Sequence, residues 1–274
     1  MNSQRKKFKI GVFDSGFGGL IILRDIIGSL PEYEYVYLGD SARIPYGTRS
    51  QETVFNFTKQ AVEFLFKKNC FLIVLACNTA STKALRKIQQ EYLPKFYPDR
   101  RVLGVIIPAV EAAVSCAKER IGVIATQGSV DSGAFIKEIE KINPKMKIFQ
   151  QACPLFVPFV EEGEHNSPAA DLIMEKYLAP LKKKKIEALI LGCTHYGIME
   201  KKIKRYLAGV KMINEGKIVA AKLNDYLKRH PEIEKQLIRN SKINFYTTDL
   251  TEKFGKLGSA FFGRKIKPQK VSLE

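Results

Sequence analysis

Leu72–Ser81 reads LIVLACNTAS and Leu189–Tyr196 reads LILGCTHY. Each is an apolar run of the kind that forms a strand buried on both faces, ended by a cysteine and then by polar residues. Each has an upstream counterpart: Ile10–Ser15 reads IGVFDS and Ile121–Thr126 reads IGVIAT. Ser15 precedes Cys77 by 62 residues and Thr126 precedes Cys193 by 67. Two matched pairs at matched spacing indicate a duplicated α/β unit. Open parallel sheets bind ligands at the carboxyl ends of their strands. Two such halves facing each other place Cys77 and Cys193 across one cleft.

Outward from these segments, short branched-rich runs alternate with amphipathic stretches. Strands are expected at Lys9–Phe13, Tyr35–Leu38, Phe71–Leu75, Arg101–Gly104, Ile121–Ile124, Lys147–Phe149, Ala188–Leu191, Val210–Ile213 and Ile243–Tyr246. Helices are expected over Glu52–Lys68, Ser81–Tyr92, Pro108–Lys118 and Asp171–Lys183. Such alternation implies an α/β fold with parallel sheets covered by helices. The longest apolar run, Phe71–Cys77, is far short of the roughly 20 residues that span a bilayer. The basic run Arg5–Lys9 leads into no apolar segment of a secretory signal, so a soluble, cytoplasmic protein is expected.

The 274 residues carry 45 basic and 28 acidic side chains, a net charge of +17 that favours anionic partners. The basic residues are dispersed, and no nucleic-acid-binding signature accompanies them. The tight run Lys182–Lys185 sits at an expected helix end, where cations are favourable. Five cysteines, with no CxxC pair, do not make a disulfide framework. Cys70, Cys116 and Cys153 lack the strand-tip setting and read as structural. Cys193-Thr194-His195 lacks the further ligands a zinc site needs, because His165 and His230 form no such spacing. A hydrolase nucleophile at Cys77 would leave the matching Cys193 unexplained.

At a strand tip beside a helix start, either thiol is expected to titrate below its usual range. Asp14, in Asp14–Gly19 (DSGFGG), stands where phosphate would approach a dinucleotide fold. A carboxylate there suits an ammonium group, or holding a proton for a neighbour. Pro45-Tyr46-Gly47 offers a ligand loop after the second strand. Glu161-Glu162-Gly163-Glu164 is a charge run that could also aim an acid at a cleft.

Together, DSGFGG at Asp14–Gly19, PYG at Pro45–Gly47, ACNTAS at Ala76–Ser81, PLFVPFVEEG at Pro154–Gly163 and GCTHY at Gly192–Tyr196 resemble the bacterial glutamate racemases. These belong to the cofactor-independent aspartate/glutamate racemase superfamily. The resemblance runs from about Lys9 to Gly263. It implies two pseudo-symmetric three-layer α/β domains with parallel central sheets and the active site in the cleft between them. The first domain would comprise residues 1–100 plus 211–274, the second, inserted domain residues 101–210. It implies interconversion of L- and D-glutamate with no cofactor and no metal, supplying D-glutamate for peptidoglycan. Cys77 matches the base for D-glutamate and Cys193 the base for L-glutamate. Asp14 matches the acid assisting the first and His195 the group assisting the second, with Glu161 or Glu162 as an auxiliary acid. Asp14, Ser15, Tyr46, Gly47, Asn78, Thr79, Thr126, Thr194 and His195 match substrate-binding positions. The implied partner is a small-molecule substrate, with no membrane and no specific nucleic acid. Dimers of varying arrangement are common in the family, so a homodimer is open. Two departures stand out: Gly197 where a proline often follows GCTHY, and Ile213-Asn214-Glu215-Gly216 in place of an Asp-containing stretch. They bear on interdomain or dimer geometry more than on the cysteines.

Overall fold

A computed structural model describes residues 7–273. Arg5 and Lys6 of the basic run, and Glu274, lie outside the described residues. Among the described residues ten strands form two sheets: β1 (Lys9–Asp14), β2 (Tyr35–Gly39), β3 (Cys70–Leu75), β4 (Arg101–Gly104), β5 (Arg120–Ala125), β6 (Lys147–Ala152), β7 (Ala188–Gly192), β8 (Lys211–Ile213), β9 (Ile243–Thr247) and β10 (Gln269–Lys270). The first sheet has the order β10-β9-β2-β1-β3-β4, and the second β6-β5-β7-β8. Every strand pairing within them is parallel. The order 2-1-3-4 in one sheet is the order 6-5-7-8 in the other, so the sequence repeat is a repeat of topology.

The nine expected strands are present, and β10, only two residues long, was missed. All six residues of β3 (CFLIVL) are buried, as an interior strand covered on both faces requires. Each fully buried Leu, Ile or Val there contributes about 1.5–3 kcal/mol relative to exposure. One face of the first sheet packs Phe13, Leu38 and Leu75 against the helix Gln51–Lys67. That helix is capped by Ser50 Oγ, which accepts the Thr53 N–H, and it buries Val54, Thr58, Ala61, Val62 and Leu65 on one stripe. The opposite face packs Ile10, Val12, Leu72 and Val74 into a second core that continues into the second sheet.

Two expectations need correction. The helix placed over Ser81–Tyr92 is instead a broken series. Asn78–Lys83 is followed by Leu85–Lys87, a wide π-type turn at Ile88–Tyr92 and Leu93–Phe96. Pro94 has no N–H to return to the preceding turn, and its ring crowds that turn, so the helix widens there. The domain boundaries also move. β4 pairs with β3, so residues 101–104 belong to the first sheet. β8 pairs with β7, so residues 211–213 belong to the second. The chain leaves the first sheet after Gly104 and the second after Ile213. It crosses back through the helix Glu215–Arg229, which packs along the helix Gly19–Ser29. No helix among the described residues is long and apolar enough to cross a membrane.

Candidate active site

In the first sheet Phe13 stands opposite Leu75, so β1 and β3 end side by side and deliver Ser15 and Cys77 to one spot. In the second sheet Ala125 stands opposite Gly192, so β5 and β7 deliver Thr126 and Cys193 together. Both points are where strand order reverses, the position at which open α/β sheets part their loops to admit a ligand. Cys77 Sγ donates to Ser15 Oγ at 3.3 Å and accepts the Ala80 N–H at 3.4 Å. The cysteine itself therefore caps the helix Asn78–Lys83, in place of the polar residues after it. In the other half Thr126 Oγ1 caps the helix Gln127–Asp131, and Cys193 opens a 3-10 turn over Thr194–Met199.

The two halves approach closely at glycines. A Cβ on Gly18 would lie 2.2 Å from Thr194 Oγ1, and one on Gly47 2.9 Å from Thr126 Cβ. Glycine at these positions lets the loop of one sheet lie against the strand tips of the other. Thr79 Oγ1 and Thr126 Oγ1, 3.1 Å apart, join the halves directly.

Of the site residues named from the sequence, all but Glu162 line one cavity of about 370 Å³ between the sheets. Asp14, Ser15, Tyr46, Gly47, Cys77, Asn78 and Thr79 come from the first-sheet side, and Thr126, Glu161, Cys193, Thr194 and His195 from the second. Of the two candidate acids the fold brings in Glu161, whose Oε1 lies 3.2 Å from His195 Nε2. Glu162 points outward to Lys253 Nζ at 2.5 Å, with its side chain 67% exposed. His195 Nδ1 in turn sits 3.9 Å from Cys193 Sγ and 3.4 Å from Thr194 Oγ1. Its ring is held edge-on by Phe17 and Phe261. Tyr46 is buried, and its O–H donates to Asp40 Oδ2 at 2.5 Å. Asp40 also receives Arg43 Nε and Thr248 Oγ1, so the phenol proton is committed to the loop and is not presented to the cleft.

The electrostatics reverse one expectation. Neither thiol is lowered. Burial pushes Cys77 up to about 11, with the charge of Asp14 adding to it, against the donors from Ser15 and Ala80. Burial pushes Cys193 well above the usual range, opposed by the His195 backbone N–H and reinforced by the charges of Cys77, Asp14 and Glu215. Desolvation of a thiolate in a water-poor cleft outweighs the few weak donors around each sulfur. Burial also raises the Asp14 carboxyl, while the His195 charge and the Gly16 and Gly19 N–H groups pull it down. Two sulfurs thus face one cavity, each with a proton acceptor in its surroundings: Asp14 for Cys77, and His195 for Cys193.

One residue beside the site was not singled out for it. Glu215, in the departing Ile213–Gly216 segment, is buried, and its Oε2 accepts Asn78 Nδ2 at 2.7 Å. Its distance of 137 residues along the chain left no local signal.

Residues 22–223 match the family model described as Asp/Glu/hydantoin racemase. The glutamate racemase of Aquifex aeolicus is 38% identical over 265 residues, 96% of this chain and 98% of the relative. That of Geobacter metallireducens is 37% identical over 269 residues, 97% of each. The crystal structure of the glutamate racemase from Francisella tularensis in complex with D-glutamate is similar at a TM-score of 0.88, with 35% identity and 98% of both chains covered.

Proposed function

The chain belongs to the Asp/Glu/hydantoin racemase family, and on that premise we propose that it interconverts L- and D-glutamate by a cofactor-independent exchange of the α-proton between two cysteines. The product D-glutamate would supply peptidoglycan synthesis in the cytoplasm. The observation that carries this reading is the pair of cysteines, one from each half of a repeated fold, on opposite sides of a single cavity. Inversion at a carbon needs a proton taken from one face and another returned to the opposite face.

From D-glutamate, the Cys77 thiolate takes the α-proton and becomes a thiol. The electron pair left on the α-carbon then takes the proton of the Cys193 thiol, which becomes the thiolate. From L-glutamate the same steps run in reverse. Because both thiols sit above their usual range, each must shed its proton to a neighbour before acting. Asp14, itself buried and raised, serves Cys77, and His195, backed by Glu161, serves Cys193. A thiolate desolvated in this way is a strong base once formed. Asn78, Thr79, Thr126 and Thr194 would hold the substrate's carboxylates and ammonium, and a positively charged protein favours a dicarboxylate.

The test is incubation with L-glutamate in heavy water under a thiol reductant. D-glutamate and α-deuterium are followed for the native chain, Cys77→Ala and Cys193→Ala. Deuterated D-glutamate from the native chain, lost in both variants, is the expected result. A folded native chain that yields neither exchange nor D-glutamate refutes the proposal.

A further inference from the structure

Asn78 begins the helix behind Cys77, lines the cleft and is 3% exposed. Its side-chain amide has two unlike ends. The nitrogen end donates to Glu215 Oε2 at 2.7 Å, and Asn78 Oδ1 is buried with no protein partner among the described residues. Glu215 is 4% exposed and does not line the cavity. It reaches Asn78 from the first turn of the helix that carries the chain back to the first sheet, where Asn214 supplies the cap. With Oε2 as the accepting oxygen of the carboxyl group, turning the amide over would set oxygen against oxygen and lose that hydrogen bond. The carbonyl end is therefore the one left to the cleft. Glutamate with both carboxylates ionised has only one donor group, its α-ammonium.

Resting on the racemase reading above, we infer that Glu215 is a positioning residue, fixing the Asn78 amide so that its oxygen receives the substrate ammonium. Glu215 touches no substrate itself. Its burial is otherwise unfavourable, since a carboxyl group away from water pushes its titration up to about 8. Its remaining oxygen, Oε1, has no partner among the described residues. Neither feature is explained by a role in packing, for which an apolar side chain of the same length would serve better.

Steady-state kinetics in both directions separate the alternatives, using Glu215→Leu, Glu215→Gln, Asn78→Ala and the double variant Asn78→Ala/Glu215→Leu. Leucine fills the site without an acceptor, whereas glutamine keeps a carbonyl oxygen for Asn78 Nδ2. Glu215→Leu is expected to raise KM for both enantiomers about tenfold with little change in kcat, the equivalent of one hydrogen bond's worth of ordering. Glu215→Gln is expected to restore KM to within about twofold, a difference below the worth of one such bond. In the Asn78→Ala background Glu215→Leu should add nothing, because its effect passes through that amide. An active native enzyme whose KM is unmoved by Glu215→Leu overturns this inference alone, as does an equal effect with Asn78 removed. A native chain without racemase activity overturns the parent reading and this inference with it.

Discussion

Replacing Glu215 by glutamine should stabilise the protein, by an amount that grows with pH. Glu215 titrates at about 8 in the folded chain, against an ordinary value of 4.5, because burial disfavours its charged form more than the Asn78 N–H supports it. Between these values the folded chain holds a proton that the unfolded chain has released. Stability therefore falls as pH rises through that window and levels off above it. At pH 7 the cost is about 3 kcal/mol, and above the folded value it approaches about 5 kcal/mol. Glutamine carries no ionisation and keeps an acceptor for Asn78 Nδ2, so it escapes this cost. Near pH 4.5 the two proteins should be equally stable. At pH 7 the variant should lead by about 3 kcal/mol, or a Tm higher by about 6 °C for a chain of this size. Urea unfolding of both proteins at intervals from pH 5 to pH 8.5 measures the difference directly, since every other titrating group cancels. A difference that stays constant within about 1 kcal/mol across that range would show that Glu215 is not held protonated by burial.

Other perturbations follow from the site geometry. Glu161→Gln should lower kcat at least about tenfold by removing the charge behind His195, whereas Glu162→Gln, whose exposed pair with Lys253 is worth little, should leave it within about twofold. Equal effects of the two in a racemisation assay would contradict the placement of these acids. Gly18→Ala puts a methyl group against Thr194 and the His195 ring, so urea unfolding should reveal a loss of about 1–3 kcal/mol. Its kcat should fall by more than tenfold, roughly what misplacing a catalytic group costs; a fully active variant would refute the close approach of the two halves. Asp40→Ala strands the Tyr46 hydroxyl and the Arg43 guanidinium together, which should cost about 3 kcal/mol. A loss under about 1 kcal/mol would show that this carboxylate does not anchor the Pro45–Gly47 loop.

Much of the fold could be read along the chain because the information was local. A strand buried on both faces has to be apolar throughout, and Cys70–Leu75 and Ala188–Gly192 are. The strand tips announce themselves by an abrupt change to cysteine and short polar residues, which is why Asp14, Ser15, Cys77, Asn78, Thr126, Cys193 and Thr194 could be named and lie on one cavity. The helix beyond Cys77 was misjudged because Pro94 acts on a turn that its apolar spacing alone describes as regular. The boundaries at 100/101 and 210/211 were misplaced because strand pairing, which assigns β4 and β8 to their sheets, is a relation between distant segments.

The sequence by itself determined the repeated α/β pattern, the two cysteines at equivalent strand tips and the family they point to. Residue type and spacing carry these directly. Tertiary structure alone decided the rest: that Glu161 and not Glu162 reaches His195, that Phe17 and Phe261 hold that ring from opposite ends of the chain, and that Glu215 anchors Asn78. It also decided that both thiols are raised and not lowered. The physical reason is common to all four. Orientation, desolvation and electrostatic coupling depend on which distant groups meet and how much water they exclude, and adjacency along the chain encodes neither.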